Sequence, residues 1–343
     1  MASVNKSMSA LATLVFRMQN DPLGPKMIKT LEPIFIKHRR KMSHIDLSYI
    51  VKPYANNPWV SDEMKQAIIQ STIELKEKLE PFNIINIFPW VSKFENTQNL
   101  FVVFQEKMLS IDWTPKEIAI LLSAYSKVNG STFLWKNMER NILSLKNQLT
   151  SYEISDFLFS YTKKKIKTRL FDELRDIVMK IPFKSNDAVY TMHSYIKNEH
   201  YDVLIIDKLS REINLNEISL KEVCILYASV LNCLRYFNEL PKAAKNTNIE
   251  EFTKNISNFT VEIETLIRKN LKIFHIIDLL SILEVVDKYS RPISIKSIAQ
   301  SISSADQLKG DLSIKGFETV ANILAKNNLP IPTPLIDIIF TLI

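Results

Sequence analysis

The sequence contains very little glycine: four of its 343 residues, at positions 24, 130, 310 and 316. Proteins on average contain about 7% glycine. Phosphate-holding loops and tight turns between strands need glycine, because it lets the backbone approach a ligand closely or adopt positive φ without strain. Neither GxGxxG nor GxxxxGK[ST] occurs. The sequence therefore excludes Rossmann and P-loop nucleotide sites and argues against a β-rich fold.

Cysteine and histidine are also scarce, with two and five residues respectively. Cys224 and Cys233 are nine positions apart, which on one helix is about 13 Å of rise and too far for a disulfide. We expect reduced core thiols in a protein that is not secreted. No histidine has the spacing of an HExxH motif or a Cys/His metal site. We therefore expect no catalytic residue, no cofactor and no metal, which means that the protein is not an enzyme.

Long apolar runs are missing as well. A membrane-spanning helix needs about 18 apolar residues, and the best candidates, 273–286 and 335–343, are shorter and contain acidic residues. We expect no transmembrane span. The first 20 residues carry Lys6 and Arg17 with no acidic residue before Asp21, a composition similar to that of a mitochondrial presequence. We therefore expect a mitochondrial location; the alternative is an ordinary amphipathic first helix.

Helix-start signals recur along the chain. The capping box, a Ser or Thr followed three residues later by Glu, occurs at Thr114, Thr150 and Ser219. A start at Ser185 fills the gap and gives intervals of 36, 35 and 34 residues. Weaker starts lie at Ser43, Asn83 and Ser313. The chain is therefore predicted to repeat a unit of about 35 residues.

Each unit continues with a second segment whose apolar residues recur every three or four positions, as expected for an amphipathic helix. The repeating unit is then a helical hairpin, and we predict an all-α fold, an α-solenoid of about eight or nine hairpins. We divide it into an N-terminal hairpin (1–42), regular repeats (43–238) and divergent C-terminal repeats (239–343). A polar insertion near 242–248 is the best candidate for a linker.

Two stretches share a pattern that resembles a known group of repeats. They are LLSAYSK at 121–127 and FLFSYTK at 157–163, the second followed by LFDEL at 170–174. This pattern resembles octotricopeptide, heptatricopeptide and FAST-kinase-domain-type organellar helical-repeat proteins. The resemblance implies an α-solenoid in mitochondria or plastids that acts on RNA or in organellar ribosomes. The Pro-Pro-Pro-Glu-Trp signature of the octotricopeptide group and a C-terminal RAP domain are not found in the sequence.

A tyrosine followed two residues later by lysine recurs in consecutive units. The pairs are Tyr125/Lys127, Tyr161/Lys163 and Tyr195/Lys197. Stacking rings with a repeated cation would suit single-stranded RNA. The helical phase favours another interpretation, because the tyrosines share a face with apolar residues. We expect them in the core with their hydroxyls at its rim, and the lysines in solvent.

The net charge of +7 is mildly basic, and the positive residues form two clusters. The denser one comprises Lys163, Lys164, Lys165, Lys167 and Arg169. It would attract phosphate, an acidic partner or anionic lipid; the alternative is a solvated loop. The smaller cluster comprises His38, Arg39, Arg40 and Lys41.

The C-terminal segment is nearly all apolar, although the end of a free-standing solenoid needs a polar outer face. Either a partner protein covers its apolar residues or the segment folds back onto its own array; these residues are Leu335, Ile338, Ile339 and Phe340. We expect a non-catalytic scaffold, an accessory structural subunit of a large mitochondrial assembly, either a respiratory-chain complex or the mitochondrial ribosome. Its partners would be other protein subunits. The alternative is a mitochondrial RNA-binding repeat protein in RNA maturation or translation, with RNA or anionic lipid head groups as further candidate partners.

Overall fold

The computed structural model describes residues 2–128, 132–241, 244, 246–290, 293–303 and 313–336, without the side chains of 2–6. These residues form helices and connecting loops, and no strand occurs among them, so the predicted all-α class is confirmed. The chain divides into two compact units, Met1–Glu173 and Leu174–Ile343.

The first unit contains helices α1 to α12. They are α1 (Ala2–Met18), α2 (Gly24–Thr30), α3 (Glu32–His38), α4 (His44–Ala55), α5 (Asp62–Glu74), α6 (Pro81–Val91), α7 (Gln98–Val103), α8 (Gln105–Leu109), α9 (Pro115–Tyr125), α10 (Thr132–Ser144), α11 (Ser151–Lys164) and α12 (Leu170–Glu173). Helices α1, α4, α6, α9 and α11 each contact the next in this order. A second series runs from α3 to α5 and α7, and from α8 to α10 and α12. Each helix of these series therefore contacts one that lies two or three helices away along the chain.

The helices of the first series begin at capped positions. The hydroxyl and carboxylate of a capping box are both engaged at Ser43, Thr114 and Thr150. The predicted start at Asn83 is wrong, because α6 begins three residues earlier, with Glu80 as its N-cap. Asn83 is the third helical residue, and its Oδ1 accepts a hydrogen bond from the Glu80 N–H at 3.1 Å. Pro81 occupies the first helical position, for which its fixed φ is suited.

The second unit contains the remaining helices. They are α13 (Arg175–Lys180), α14 (Ser185–Lys197), α15 (Val203–Glu212), α16 (Leu220–Glu239), α17 (Thr247–Asn270), α18 (Ile276–Tyr289), α19 (Ile295–Ser303) and α20 (Ile314–Lys326). Helix α16 contacts α14, α17 and α18, and α18 contacts α19 and α20. The predicted capping box at Ser219 is present, and Ser313 caps α20 as predicted. Helix α17 begins at Thr247, so residues 247 and 248 of the predicted polar insertion are helical.

The helix expected at Ser185 begins there, but Lys184 is its N-cap. The Ser185 hydroxyl donates to Glu217 at 2.9 Å and accepts from the Asn214 N–H at 3.0 Å, and so joins the first turn of α14 to the loop between α15 and α16. With Lys184 as the cap, a tyrosine follows the N-cap by eleven residues in four units, namely at Tyr54, Tyr125, Tyr161 and Tyr195. The repeat is thus more regular than the sequence motifs indicate.

The chain places other residues where many proteins use glycine. Among the residues described, five that are not glycine have positive φ: Asn96, Lys165, Glu199, Ser290 and Asn328. Lys165 and Ser290 terminate α11 and α18 in the left-handed conformation, a position at which glycine is usual. Helices can therefore end without glycine here, which agrees with its scarcity in the sequence.

Candidate anion-binding surface

Three of the repeated tyrosines bind the preceding hairpin. Their side chains are almost fully buried, and each hydroxyl donates to a backbone carbonyl 24 to 26 residues earlier: Tyr54 to Ile28 at 3.0 Å, Tyr125 to Phe101 at 3.1 Å and Tyr161 to Trp135 at 2.5 Å. Burial raises the pKa of all three well above the ordinary range. The predicted core position is confirmed, but the hydroxyls are buried rather than at the rim. The neighbouring hairpin supplies a carbonyl there, which no local motif reveals.

Lysines at equivalent positions form a second repeated feature. Lys93, Lys127 and Lys163, which we name the lysine row, each lie thirteen residues after the N-cap of their helix, and all three are exposed. The pKa of Lys127 is below its ordinary value, because partial desolvation and then the ammonium groups of Lys163 and Lys93 disfavour its charge. Lys127 is therefore close enough to both other lysines to be repelled by them.

The lysine row has few internal partners. Lys93 donates to Asn56 Oδ1 at 3.0 Å and lies 4.3 Å from the centre of the Trp90 ring. Among the residues that the structure describes, no carboxylate lies within ion-pair distance of Lys93, Lys127 or Lys163. The predicted exposure of Lys127 and Lys163 is confirmed. In the second unit Lys197 occupies the equivalent position and is also exposed.

The loop after α11 carries the rest of the predicted 163–169 cluster. Two hydrogen bonds fix the first residues of this loop: Lys165 N–H donates to Thr162 O at 3.0 Å, and Ile166 N–H donates to Tyr161 O at 3.1 Å. This is the Schellman pattern, with a left-handed lysine in the position that glycine favours. Lys163, Lys165, Lys167 and Arg169 are exposed and Lys164 is partly buried.

Two further cations join this loop from helix α10. A groove of about 370 Å³, which we name the basic groove, is lined by Lys136, Glu139, Arg140, Lys167, Thr168 and Arg169. Lys136 and Arg140 are one helical turn apart and face the loop. Neither was predicted from the sequence, because they are separated by about 30 residues from Lys167 and Arg169. The packing of α10 beside the loop after α11 brings the four cations together.

Glu139 organises the basic groove. Its side chain is only 12% exposed, and its carboxylate lies 3.6 Å from the Arg169 guanidinium. The same carboxylate accepts a hydrogen bond from the Arg169 backbone N–H at 3.3 Å. Of the four cations, only Arg169 has a carboxylate within ion-pair distance among the described residues. The groove therefore keeps a net positive charge.

The smaller basic cluster and the apolar C-terminal residues are only partly exposed among the residues described. In the smaller basic cluster, Arg39 forms an ion pair with Glu74 at 2.8 Å, His38 is partly buried, and Arg40 and Lys41 are exposed. At the C-terminus Leu335 is fully buried. Ile338, Ile339 and Phe340 lie outside the described residues.

The described residues include neither a membrane-spanning helix nor a metal-binding cluster. Among the described helices, none combines the length and the apolar character that a bilayer requires. In the same part of the chain, His, Cys, Asp and Glu side chains form no group of three or more that could hold a metal ion. Both cysteines are buried in α16 and unpaired, as predicted, and burial raises the pKa of Cys233 to about 12.

The geometry thus offers two positively charged features in the first unit, the lysine row and the basic groove. In comparison with known proteins, the chain matches no family model and has no significant match among curated proteins.

Proposed function

We propose that this chain is a non-catalytic α-solenoid that acts as an accessory structural subunit of a large mitochondrial assembly, either a respiratory-chain complex or the mitochondrial ribosome. The consecutive contacts among α1, α4, α6, α9 and α11 support the solenoid arrangement in the first unit. In such an array each hairpin buries its apolar face against its neighbours, which leaves long surfaces for partners.

The observation that carries this proposal is the apolar surface of the first hairpin. Leu14 and Met27 are 46% and 52% exposed, and both line a groove between α1 and α2. Leu23, in the loop between these helices, is 65% exposed. The ring of Phe16, also on α1, packs against that of Tyr49 on α4, with the ring centres 5.3 Å apart. Clustered apolar exposure of this kind is typical of surfaces that bind another protein.

Affinity purification from mitochondria, with identification of partners by mass spectrometry, tests this function. We expect the tagged chain to recover a defined set of subunits, and the double variant Leu14→Ser/Met27→Ser to lose them. Val102→Ser, which changes an isolated exposed side chain on α7, is the matched control and should retain them. Equal recovery by wild type and double variant would show that this surface is not the docking site. A fluorescent fusion that stains the cytosol would contradict the mitochondrial location.

A second function, binding of single-stranded RNA, is favoured by the lysine row. Phe82 and Tyr152 lie eleven residues before Lys93 and Lys163. Tyr152 and Lys163 are three turns apart on one face of α11, whereas Lys93 lies two residues beyond the end of α6. Their rings are 68% and 42% exposed. Exposed rings that stack on bases, together with a line of cations along the backbone, are the usual means of sequence-tolerant binding to a single strand.

Binding of a fluorescent single-stranded RNA at several salt concentrations tests this second function. Each phosphate contact contributes about −0.7 to the slope of log affinity against log salt. Replacing Lys93, Lys127 and Lys163 by Gln should reduce the steepness of that slope by about 2. A triple control at exposed lysines elsewhere in the first unit, Lys29, Lys37 and Lys78, should leave it nearly unchanged. A slope equally reduced in both triple variants would indicate a non-specific charge effect.

A further inference from the structure

The basic groove has the chemistry of a binding site for a compact anion. Four cations surround a space of about 370 Å³, and one carboxylate offsets only one of them. Lys136, Arg140 and Lys167 have no carboxylate within ion-pair distance among the described residues. Such a concentration of positive charge attracts an anion.

The shape and lining of the groove restrict the kind of anion. Its lining residues are polar or charged, and none of the side chains that line it is aromatic. A nucleobase would find no ring to stack on, whereas phosphate oxygens would meet ammonium and guanidinium donors and the Thr168 hydroxyl. The volume is at the lower end of small-molecule pockets. It suits a ligand with several phosphate groups close together.

Interactions within the protein fix the loop that carries half of the groove's cations. Glu139 binds both the guanidinium and the backbone of Arg169, and so fixes the loop against α10. The Schellman turn at Lys165 fixes the other side of the loop. The cations therefore do not depend on a ligand to be brought together, which reduces the entropy cost of binding.

We propose that the basic groove, formed by Lys136, Arg140, Lys167, Thr168 and Arg169, binds a compact group with two or more phosphates and no aromatic ring. The group comes either from a free polyphosphorylated molecule or from a phosphorylated lipid headgroup. This site shares no residue with either surface invoked for the proposed function and does not depend on them.

Isothermal titration calorimetry of the full chain at about 150 mM salt tests the proposal, with inositol hexakisphosphate and pyrophosphate as free probes. Vesicles that contain phosphatidylinositol bisphosphate represent the lipid source, and phosphatidylserine vesicles of equal charge are their control. We expect one molecule of a free probe bound per chain, or selective binding to the phosphorylated vesicles. The first result assigns a free ligand and the second a lipid headgroup.

Charge variants locate the site. Lys136→Gln/Arg140→Gln should weaken binding about tenfold for each cation removed, because a charge-assisted hydrogen bond to phosphate contributes at least that factor. Glu139→Gln keeps an oxygen acceptor for Arg169 but removes the negative charge, and should tighten binding about threefold. Lys29→Gln/Lys37→Gln, which removes the same charge elsewhere in the unit, should leave the affinity within about twofold. Thermal melts of all variants verify that each is folded.

Three outcomes would overturn the proposal. The first is the absence of stoichiometric binding to any of these phosphate probes. The second is an equal loss of affinity in the groove variant and in the Lys29/Lys37 control. The third is that only single-stranded RNA binds and that Lys136→Gln/Arg140→Gln weakens it, which would make the groove part of an RNA surface.

Discussion

At the scale of single residues, the repeated tyrosines hold consecutive hairpins together. Tyr54, Tyr125 and Tyr161 combine a buried ring with a hydroxyl that donates to a carbonyl of the preceding hairpin. The rings also pack edge-on against an aromatic neighbour from that hairpin; for Tyr161 and Trp135 the ring centres are 4.9 Å apart. An aromatic pair in this geometry contributes about 0.5–1.5 kcal/mol beyond its buried area. Each tyrosine thus couples two repeats through both packing and a hydrogen bond.

We predict that Tyr161→Phe lowers the free energy of unfolding by about 0.5–1.5 kcal/mol. The ring packing remains, but the buried hydrogen bond from the Tyr161 hydroxyl to the Trp135 carbonyl is lost, and a buried hydrogen bond contributes about this much. Urea denaturation measures the change. Tyr49→Phe is the control, since the Tyr49 ring is exposed and its loss of a hydroxyl should change stability by less than about 0.5 kcal/mol. Equal effects in the two variants would contradict a structural role for the Tyr161 hydroxyl.

His193, on α14 of the second unit, should make stability depend on pH. Its ring nitrogen Nδ1 lies 2.9 Å from Ser229 Oγ, and burial, with a smaller effect of Lys197, lowers its pKa from 6.5 to about 4. Between these two values the unfolded chain binds a proton that the folded chain does not, so stability falls as the pH falls from 6.5 to 4.

The test of this pH dependence compares wild type with His193→Gln by urea denaturation at several pH values. The difference in unfolding free energy between the two proteins should shift by about 1–3 kcal/mol between pH 7 and pH 4, with wild type losing more. Carboxylates titrate in both proteins and cancel in the difference. A constant difference across this window would mean that the His193 pKa is not lowered by folding.

At the scale of secondary-structure elements, helix ends decide the regularity of the repeat. N-caps fall at residues 43, 80, 114 and 150 in the first unit and at 184 and 219 in the second. The sequence predicted those with a Ser or Thr cap and a carboxylate three residues later. It misplaced two starts, because Glu80 and Lys184 are not typical caps, whereas Asn83 and Ser185 have side chains that are.

The end of α11 allows a test of what it costs to end a helix on a left-handed residue other than glycine. Lys165 has φ 54° and ψ 38°, a left-handed conformation that costs an ordinary L-residue about 1–2 kcal/mol. Lys165→Gly should therefore raise the free energy of unfolding by up to about 1 kcal/mol. Lys163→Gly, two residues earlier and helical, should lower it by about 0.5–1 kcal/mol. Thermal or urea unfolding gives both values, and a shift of the same sign in both variants would refute this account.

At the scale of the whole molecule, the sequence predicted the all-α class well and the candidate sites only in part. Local signals such as caps and apolar periodicity lie within a dozen residues, so they could be read directly. The basic groove depends on Lys136 and Arg140 meeting Lys167 and Arg169 across a turn of the chain. The tyrosine hydroxyls likewise find carbonyls 24 to 26 residues away. Neither contact has a motif of its own, because each depends on how one hairpin packs on the next.

The net charge of +7 alone does not identify a binding surface. In the first unit some basic residues form ion pairs, such as Arg39 with Glu74. Lys107 is engaged in another way, donating to the Lys76 carbonyl at 2.6 Å. The basic groove differs because four cations line one space there. The grouping of cations is therefore more informative than their number.

The hydrogen bonds from these tyrosines to main-chain carbonyls have a consequence for how the sequence can evolve. Their acceptor is a main-chain carbonyl, a group that every amino acid carries, so the residue that supplies it can be replaced without losing the hydrogen bond. A hairpin with an entirely different side-chain composition can still receive the tyrosine of the next one. Duplication, exchange or rapid sequence drift of single hairpins would then preserve the hydrogen bonds between them. Sequence similarity between the units would decrease while their register is retained.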